Sequence, residues 1–330
     1  MHKALYILNT DAYDKIYGPG ERATIDELVE MVAPQQTAES ILAQPELLSD
    51  VEVIFSGWGM VPLDEAFLAA APKLEAVFYG AGSIRYFATE AAWDRGIVIC
   101  SAWAANAVPV SEYTLAQILF SLKRGWHYAL EIKREHGWVA KTPVPGAYGS
   151  TVGIISLGMI GRLMVERLKL FDVKVIAYDP FVSEADAATL GVELCELDEL
   201  FTRADVVSLH TPKLPETLGM ITGAHLASMK PGTTFINTAR GAIVREDEMI
   251  EVLQQRTDLY AILDVTDPEP PMEGSALYTL PNVILTPHIA GSMDAECRRM
   301  AQYMIDDYRR YVAGDGLVWR VTREKARTMA

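Results

Sequence analysis

The stretch from Val152 to Pro180, VGIISLGMIGRLMVERLKLFDVKVIAYDP, constrains the fold of this chain more than any other. An apolar run from Val152 to Ile155 meets a turn holding Gly158 and Gly161. Ile160, Met164, Leu168 and Leu170 then recur at helix-like spacing, and a second apolar run, Val173 to Tyr178, ends at Asp179. Strand, glycine turn, helix, strand and acid in this order form a βαβ unit suited to a dinucleotide. Gly158 leaves no Cβ between the backbone and a pyrophosphate, and Gly161 lets the helix pack closely on its strand. The helix N-terminus offers N–H donors and the positive end of its dipole to phosphates. Asp179 lies 18 residues past Gly161, near the spacing of about 20 at which a carboxylate reaches the ribose hydroxyls. A carboxylate there repels a 2′-phosphate, and no Arg directly follows it, so the motif favours NAD over NADP. Ser156 replaces the first glycine of the fingerprint, and on these residues alone an ordinary αβ turn fits as well.

A chain of 330 residues has room for two domains, each with its own core. The net charge of −15 argues against nucleic acid and anionic membranes as partners, although local residues can still bind a small anion. Cys100, Cys195 and Cys297 are widely spaced and form no CxxC pattern, so neither structural disulfides nor a metal site is expected. The N-terminus enters a strand-like segment at once, which is unlike a signal peptide, and no apolar run approaches the ~18 residues of a membrane span. A cytoplasmic protein is the expectation.

Short apolar runs alternate with helical patterns along most of the chain. Ala4–Leu8, Val51–Phe55, Leu74–Tyr79 and Ile97–Ser101 read as buried parallel strands, with helices expected over Thr24–Met31 and Leu63–Ala70. Gly80-Ala81-Gly82 closes the third strand with bare backbone, a place for a small anion to meet N–H groups or else a simple turn. A long helix is expected from Asn106 to Lys123, with Pro109 near its start, and an exposed connection from His136 to Ser150. Further strands are expected at Val206–His210, Thr234–Asn237, Tyr260–Val265 and Val283–Thr286. Helices are expected at Thr222–Met229, Glu246–Gln255 and Met293–Ala313, and a frayed basic tail after Val321. Strand–helix alternation over this length means doubly wound parallel sheets in an α/β fold.

Three polar clusters stand at the ends of expected strands, where open α/β sheets keep their ligand crevices. They are Asn237-Thr238-Ala239-Arg240-Gly241, Asp264-Val265-Thr266-Asp267-Pro268-Glu269-Pro270 and Thr286-Pro287-His288-Ile289-Ala290-Gly291. Through INTARGAIV, LDVTDPEP and LTPHIAG, in that order, the chain resembles the D-isomer-specific 2-hydroxyacid dehydrogenase family, and the resemblance runs from Gly80-Ala81-Gly82 past His288.

The resemblance implies a Rossmann NAD-binding domain, residues 106–295, inserted into a flavodoxin-like substrate-binding domain of residues 1–105 plus 296–330. It implies oxidoreductase chemistry on a small 2-oxo or 2-hydroxy acid, and a homodimer, with the segment from Trp126 to Tyr148 as candidate contact. Reducing a 2-oxo acid places hydride on the carbonyl carbon and a proton on its oxygen. His288 is the candidate proton donor and Glu269 the residue that fixes its tautomer. Arg240 would clamp the carboxylate and polarise the carbonyl. The resemblance adds the N–H groups of Ala81 and Gly82 for the substrate carboxylate. For NAD it adds Gly158, Met159, Ile160 and Gly161 at the pyrophosphate turn and Asp179 at the ribose. Thr211, Thr238, Ala239, Arg240, Asp264, His288, Ala290 and Gly291 complete its cofactor set. Met159 stands where the family usually has an arginine, which predicts weaker NAD(H) binding, with Arg162 as a substitute.

Each catalytic candidate also has a structural reading: His288 as a satisfied strand-end histidine, Glu269 as a solvated loop residue, Arg240 as a surface charge. Trp58, Tyr79, Tyr86 and Trp138 are candidates for a pocket lining or for core and subunit contacts. Alternatives to the reductase are a phosphite-type dehydrogenase and an NAD(H)-sensing interaction protein of corepressor type on the same fold. A formate dehydrogenase is disfavoured because Glu269 stands where those enzymes use glutamine. A phosphoglycerate dehydrogenase with a regulatory domain is disfavoured because 42 residues follow His288, while a short, unregulated form of that enzyme stays open.

Overall fold

Runs such as VIFS and AVFY, apolar at successive positions, are satisfied only in strands covered on both faces. In the computed structural model, which describes residues 1–328, they form the centre of one of two sheets. The chain divides into two units, Met1–Asn106 with the chain from Ser292 onward, and Ala107–Gly291. The passes between units fall at 106/107 and 291/292, where the resemblance implies 105/106 and 295/296.

The first unit holds parallel strands β1 (Lys3–Ile7), β2 (Glu30–Met31), β3 (Val53–Ser56), β4 (Ala76–Tyr79) and β5 (Val98–Ser101). A late strand, β13 (Arg320–Val321), pairs antiparallel with β5. The order is β13-β5-β4-β3-β1-β2, so the parallel strands follow the 2-1-3-4-5 winding of flavodoxin-like sheets. Side chains alternate between two cores. Leu5, Ile7 and Ile54 face one, while Ala4, Tyr6, Val53 and Phe55 face the other. The second core is closed by the helix Cys297–Ala313, whose Met300, Met304, Ile305 and Tyr308 are buried against the sheet, with Tyr308 edge-on to Phe55 and Phe78. Asp307, 1% exposed, accepts hydrogen bonds from the N–H groups of Val318 and Trp319 and so guides the chain back to β13.

The second unit contains β6 (Thr151–Ile155), β7 (Lys174–Tyr178), β8 (Glu193–Leu194), β9 (Val206–Leu209), β10 (Thr234–Asn237), β11 (Tyr260–Leu263) and β12 (Val283–Leu285). All are parallel, in the order β12-β11-β10-β9-β6-β7-β8. This is the Rossmann arrangement, with the winding direction reversing between β6 and β9. The molecule is an α/β protein of two doubly wound sheets.

Several expectations are corrected. The helix expected over Thr24–Met31 is instead Pro19–Asp26, and Glu30–Met31 is strand β2. Pro19 at the first turn starts the helix early, and pairing with the open edge of β1 satisfies backbone groups that continued helix would leave orphaned there. The helix expected from Asn106 begins at Trp103, which leaves Pro109 inside it. A helix over Gly125–Glu135 went unread: it buries no side chain and therefore shows no apolar stripe. Arg323–Thr328 is helical rather than frayed, with Arg323 paired to Glu90 and Asp94.

Among the described residues no helix is long and apolar enough to cross a membrane, and no three His, Cys, Asp or Glu side chains cluster as metal ligands do.

Candidate active site

The turn after β6 is set by one unusual residue. Ser156 adopts φ of +77°, the left-handed region that glycine enters freely. Its hydroxyl lies 3.1 Å from that of Thr211, past the end of β9, so the side chain that strains the turn also ties it down. Asp179, at the tip of β7, accepts from the N–H groups of Leu157 (2.7 Å) and Phe181 (2.9 Å) and closes the turn from the other side. Arg162 donates through Nε to the carbonyl of Leu157 at 2.9 Å.

The two glycines have different reasons. A Cβ on Gly161 would stand 2.1 Å from the Ser156 carbonyl oxygen, so helix and turn meet here without a side chain between them. A Cβ on Gly158 would meet nothing within 4 Å. Among the described residues, the N–H groups of Gly158, Met159 and Ile160 donate no hydrogen bond, as expected at the first turn of a helix, Met159–Leu168. Free donors, an open approach and a carboxylate with lone pairs to spare fit the pyrophosphate and ribose of a dinucleotide.

His210 follows β9 and is 8% exposed. Burial pushes its pKa down to about 3, which keeps the ring neutral. Its Nε2 lies 3.0 Å from the Ser208 hydroxyl.

The other polar clusters follow β10, β11 and β12, which are neighbours in the sheet. Asn237 braces the first: its Oδ1 accepts from Ala239 N–H at 2.9 Å and its Nδ2 donates to the Arg240 carbonyl at 3.0 Å. Thr238 is buried, its hydroxyl 3.1 Å from that of Thr114. Arg240 is extended, and its guanidinium donates to the Ala239 carbonyl at 2.6 Å. Burial lowers its pKa, opposed by the charge of Glu269. A Cβ on Gly241 would stand 2.0 Å from the Thr266 carbonyl carbon, so only glycine lets the Arg240 turn lie against the Glu269 loop. That loop is held in turn by Glu246, which accepts from Asp267 N–H at 3.0 Å, and by the Thr266 hydroxyl on the Pro268 carbonyl at 2.8 Å.

His288 and Glu269 meet directly, Nδ1 to Oε1 at 2.7 Å, both side chains partly exposed. His288 sits at φ of +54°, and its N–H donates to the Asp264 carbonyl at 3.0 Å. The Asp264 carboxylate, 2% exposed, accepts from the Thr286 hydroxyl (2.6 Å), Ile289 N–H (2.9 Å) and Ala290 N–H (2.9 Å). The Tyr113 hydroxyl joins at 2.9 Å from that of Thr286. Asp264 thus holds the His288 loop in its conformation, and Gly291 ends that loop at the edge of the unit. With Nδ1 committed to Glu269, the His288 Nε2 makes no hydrogen bond among the described residues and is free to exchange a proton with a ligand.

Ala81 and Gly82 belong to the other unit. Their carbonyls face the Ser101 hydroxyl at 2.9 and 2.6 Å. The N–H groups of Ala81, Gly82 and Ser83 donate no hydrogen bond among the described residues, which leaves three donors for an anion. Asn237 and Gly241 stand without a role of their own in the first polar cluster of the sequence, whereas Tyr113, Thr114 and Glu246 carry no local signal. On the helix Trp103–Leu122, Ser111, Thr114 and Ser121 are buried polar residues.

Residues 116–290 match the family model described as D-isomer specific 2-hydroxyacid dehydrogenase, NAD binding domain. The chain belongs to the D-isomer-specific 2-hydroxyacid dehydrogenases. Ala107–Gly291 is accordingly this family's NAD-binding domain. A D-3-phosphoglycerate dehydrogenase of Mycobacterium tuberculosis is 37% identical over 255 residues, which are 77% of this chain and 48% of that protein. The chain therefore spans about half the length of such relatives. An (S)-sulfolactate dehydrogenase of Chromohalobacter salexigens is 36% identical over 250 residues, 75% of this chain and 81% of that one. In fold, the chain is similar to the NAD-complexed D-isomer specific 2-hydroxyacid dehydrogenase of Lactobacillus delbrueckii ssp. bulgaricus. That structure has a TM-score of 0.80 and 22% identity, and the match covers 97% of this chain and 100% of that one.

Proposed function

We propose that this family member is an NAD-dependent 2-hydroxyacid dehydrogenase that works as a 2-oxo acid reductase. The observation that carries the reading is the His288–Glu269 pair at 2.7 Å with Nε2 unengaged, built on the same sheet end as the half-buried Arg240. Bound NADH would supply the hydride. His288 gives the proton from Nε2 to the carbonyl oxygen, and Glu269 holds the ring so that Nδ1 keeps its own proton and stabilises the charged form. Arg240, permanently cationic and partly desolvated, binds the carboxylate and polarises the carbonyl more strongly than it would in water. The free N–H groups of Ala81 and Gly82 support their role as further carboxylate donors. Gly158, Met159, Ile160, Gly161 and Asp179 would hold the pyrophosphate and ribose. Thr211, Thr238, Ala239, Asp264, Ala290 and Gly291 would frame the rest of the cofactor, Asp264 offering the nicotinamide amide what its carboxylate does not spend on the chain.

The relatives' names, D-3-phosphoglycerate dehydrogenase and (S)-sulfolactate dehydrogenase, support a substrate among 2-hydroxy and 2-oxo acids. Exposed Trp138 and Tyr148, 93% and 87%, support a homodimer contact on the NAD-binding domain, which light scattering of the purified chain tests. The activity is tested by NADH oxidation against glyoxylate, pyruvate, hydroxypyruvate and phenylpyruvate. Turnover that His288→Ala removes, while NADH still binds, is the expected result. Turnover that survives in His288→Ala would refute the assignment.

A further inference from the structure

The helix Trp103–Leu122 sends polar side chains to two of the clusters at the strand ends. Thr114 gives its one hydrogen to the Val110 carbonyl at 2.7 Å, so at 3.1 Å it accepts from Thr238 and ties the helix to the Arg240 turn. Half-buried Tyr113 reaches the His288 loop, its hydroxyl 2.9 Å from that of Thr286, and Thr286 meets Asp264 Oδ1 at 2.6 Å. In the other direction Gln117, one turn along the helix, is a side-chain hydrogen-bond partner of the Tyr113 hydroxyl. Its Oε1 accepts from the indole N–H of Trp126, in the helix Gly125–Glu135, at 2.9 Å.

The two ends fix the direction of this chain. An indole N–H only donates, and the Asp264 carboxylate, which takes the N–H groups of Ile289 and Ala290 on its two oxygens, only accepts. Thr286 therefore spends its hydrogen on Asp264 and accepts from Tyr113. Tyr113 spends its hydrogen on Thr286 and accepts from the Gln117 amide N–H, which leaves Gln117 Oε1 for the indole. Burial raises the pKa of the Tyr113 phenol, so it keeps the hydrogen that it donates. From Trp126 through Gln117, Tyr113 and Thr286 to Asp264, every bond points the same way, and each polarises the next. Without the Tyr113 hydroxyl, Thr286 is free to turn its hydrogen away from Asp264, the residue on which the backbone of His288, Ile289 and Ala290 hangs.

We infer that Tyr113 is a positioning residue: through Thr286 it orients the Asp264 carboxylate, and thereby holds both the His288 loop and the nicotinamide end of the coenzyme. This rests on the reductase reading above and on the place given there to Asp264. The test uses the full chain as wild type, Tyr113→Phe, Gln117→Glu, Thr286→Val and the double variant Tyr113→Phe/Thr286→Val. It reads kcat and KM with NADH and the best 2-oxo acid of the panel above, and the Kd for NADH and for ADP-ribose, which lacks the nicotinamide. Tyr113→Phe keeps the ring and should lower kcat and weaken NADH by about fivefold each, the worth of one hydrogen bond, while ADP-ribose binds within about twofold of wild type. Gln117→Glu has nearly the same shape but only accepts, so it draws the Tyr113 hydrogen away from Thr286 and should have the same effect. In the double variant Tyr113→Phe should add nothing to Thr286→Val, because the hydroxyl through which it acts is already gone. Wild-type kcat and NADH affinity in Tyr113→Phe, an equal loss of ADP-ribose affinity, or additive losses in the double variant would overturn the inference and leave the reductase standing. No turnover of any 2-oxo acid by wild-type protein that binds NADH would overturn the reductase, and the comparison of NADH with ADP-ribose would still decide for or against Tyr113.

Discussion

Gly158 and Gly161, three residues apart in one turn, should fail in opposite ways when each is given a methyl group. At Gly161 the added Cβ falls 2.1 Å from the Ser156 carbonyl oxygen, about 0.9 Å inside the 3.0 Å that real Cβ atoms respect. The obstacle is backbone, itself fixed by Asp179 through Leu157 N–H, so helix and strand must part. Overpacking of this kind costs about 2 kcal/mol, or roughly 4–8 °C in Tm for a domain of this size. At Gly158 nothing lies within 4 Å, and φ of −68° suits alanine. The loss of a favourable N-cap, about 0.5–1 kcal/mol, is offset by a similar entropic loss in the unfolded chain. Gly158→Ala should thus melt within about 2 °C of the wild type, yet its methyl occupies the approach to the free N–H groups. NADH affinity should fall about tenfold or more, ~1.4 kcal/mol. Thermal unfolding without ligand and calorimetric titration of NADH read the two effects separately. Wild-type Tm in Gly161→Ala, or wild-type NADH affinity in Gly158→Ala, would refute this division of roles.

His210 makes stability depend on pH. Its folded-state pKa is about 3, whereas an unfolded histidine titrates near 6.5. Between those values the unfolded chain binds the extra proton, so this contribution is complete above about pH 6.5 and shrinks on acidification, by up to ~1.4 kcal/mol per pH unit. From pH 6.5 to 5 the loss is about 2 kcal/mol. His210→Gln should show a correspondingly shallower fall in Tm over that range, and identical slopes would disprove the origin. Glu269→Gln should lower kcat/KM for 2-oxo acid reduction roughly 10²-fold while the Kd for NADH moves less than about threefold; equal loss of both would mark Glu269 as merely structural. Asp179→Ala should relax discrimination against NADPH about tenfold, read as the ratio of the two cofactors' kcat/KM. A ratio that stays put would assign the carboxylate to the turn alone.

How far the sequence reached depended on the range of the interaction. The βαβ unit at Val152–Asp179 was legible because its strands are continuous apolar runs and its turn needs glycine at fixed offsets. The clusters at Arg240, Glu269 and His288 were legible because strand ends and polar punctuation are local signals. Strand β2 was not, since Glu30 and Met31 are strand only through the edge of β1, more than twenty residues earlier. The hydroxyl contacts of Tyr113 with Thr286 and of Thr114 with Thr238 cross 173 and 124 residues, and no periodicity records them. Ser156 could be read as a departure from glycine, but not its cure, the hydroxyl of Thr211.

On the proposed reading, the chemistry and its support are carried by different residues. His288 and Glu269 are partly exposed, and neither has packing enough to fix it. What fixes His288 is a buried carboxylate that spends itself on backbone. Asp264 takes the hydrogen bonds of Ile289 and Ala290, and its own carbonyl takes that of His288, which holds the histidine at a positive φ that side chains ordinarily avoid. Three accepted bonds at 2.6–2.9 Å repay the burial of that charge. Gly241 acts by absence in the same way, letting the Arg240 turn lie against the loop that carries Glu269. A lone histidine, glutamate or arginine is weak evidence of chemistry. A histidine held in a strained conformation by an interior acid, with one ring nitrogen engaged and the other free, is what a proton-transferring site requires.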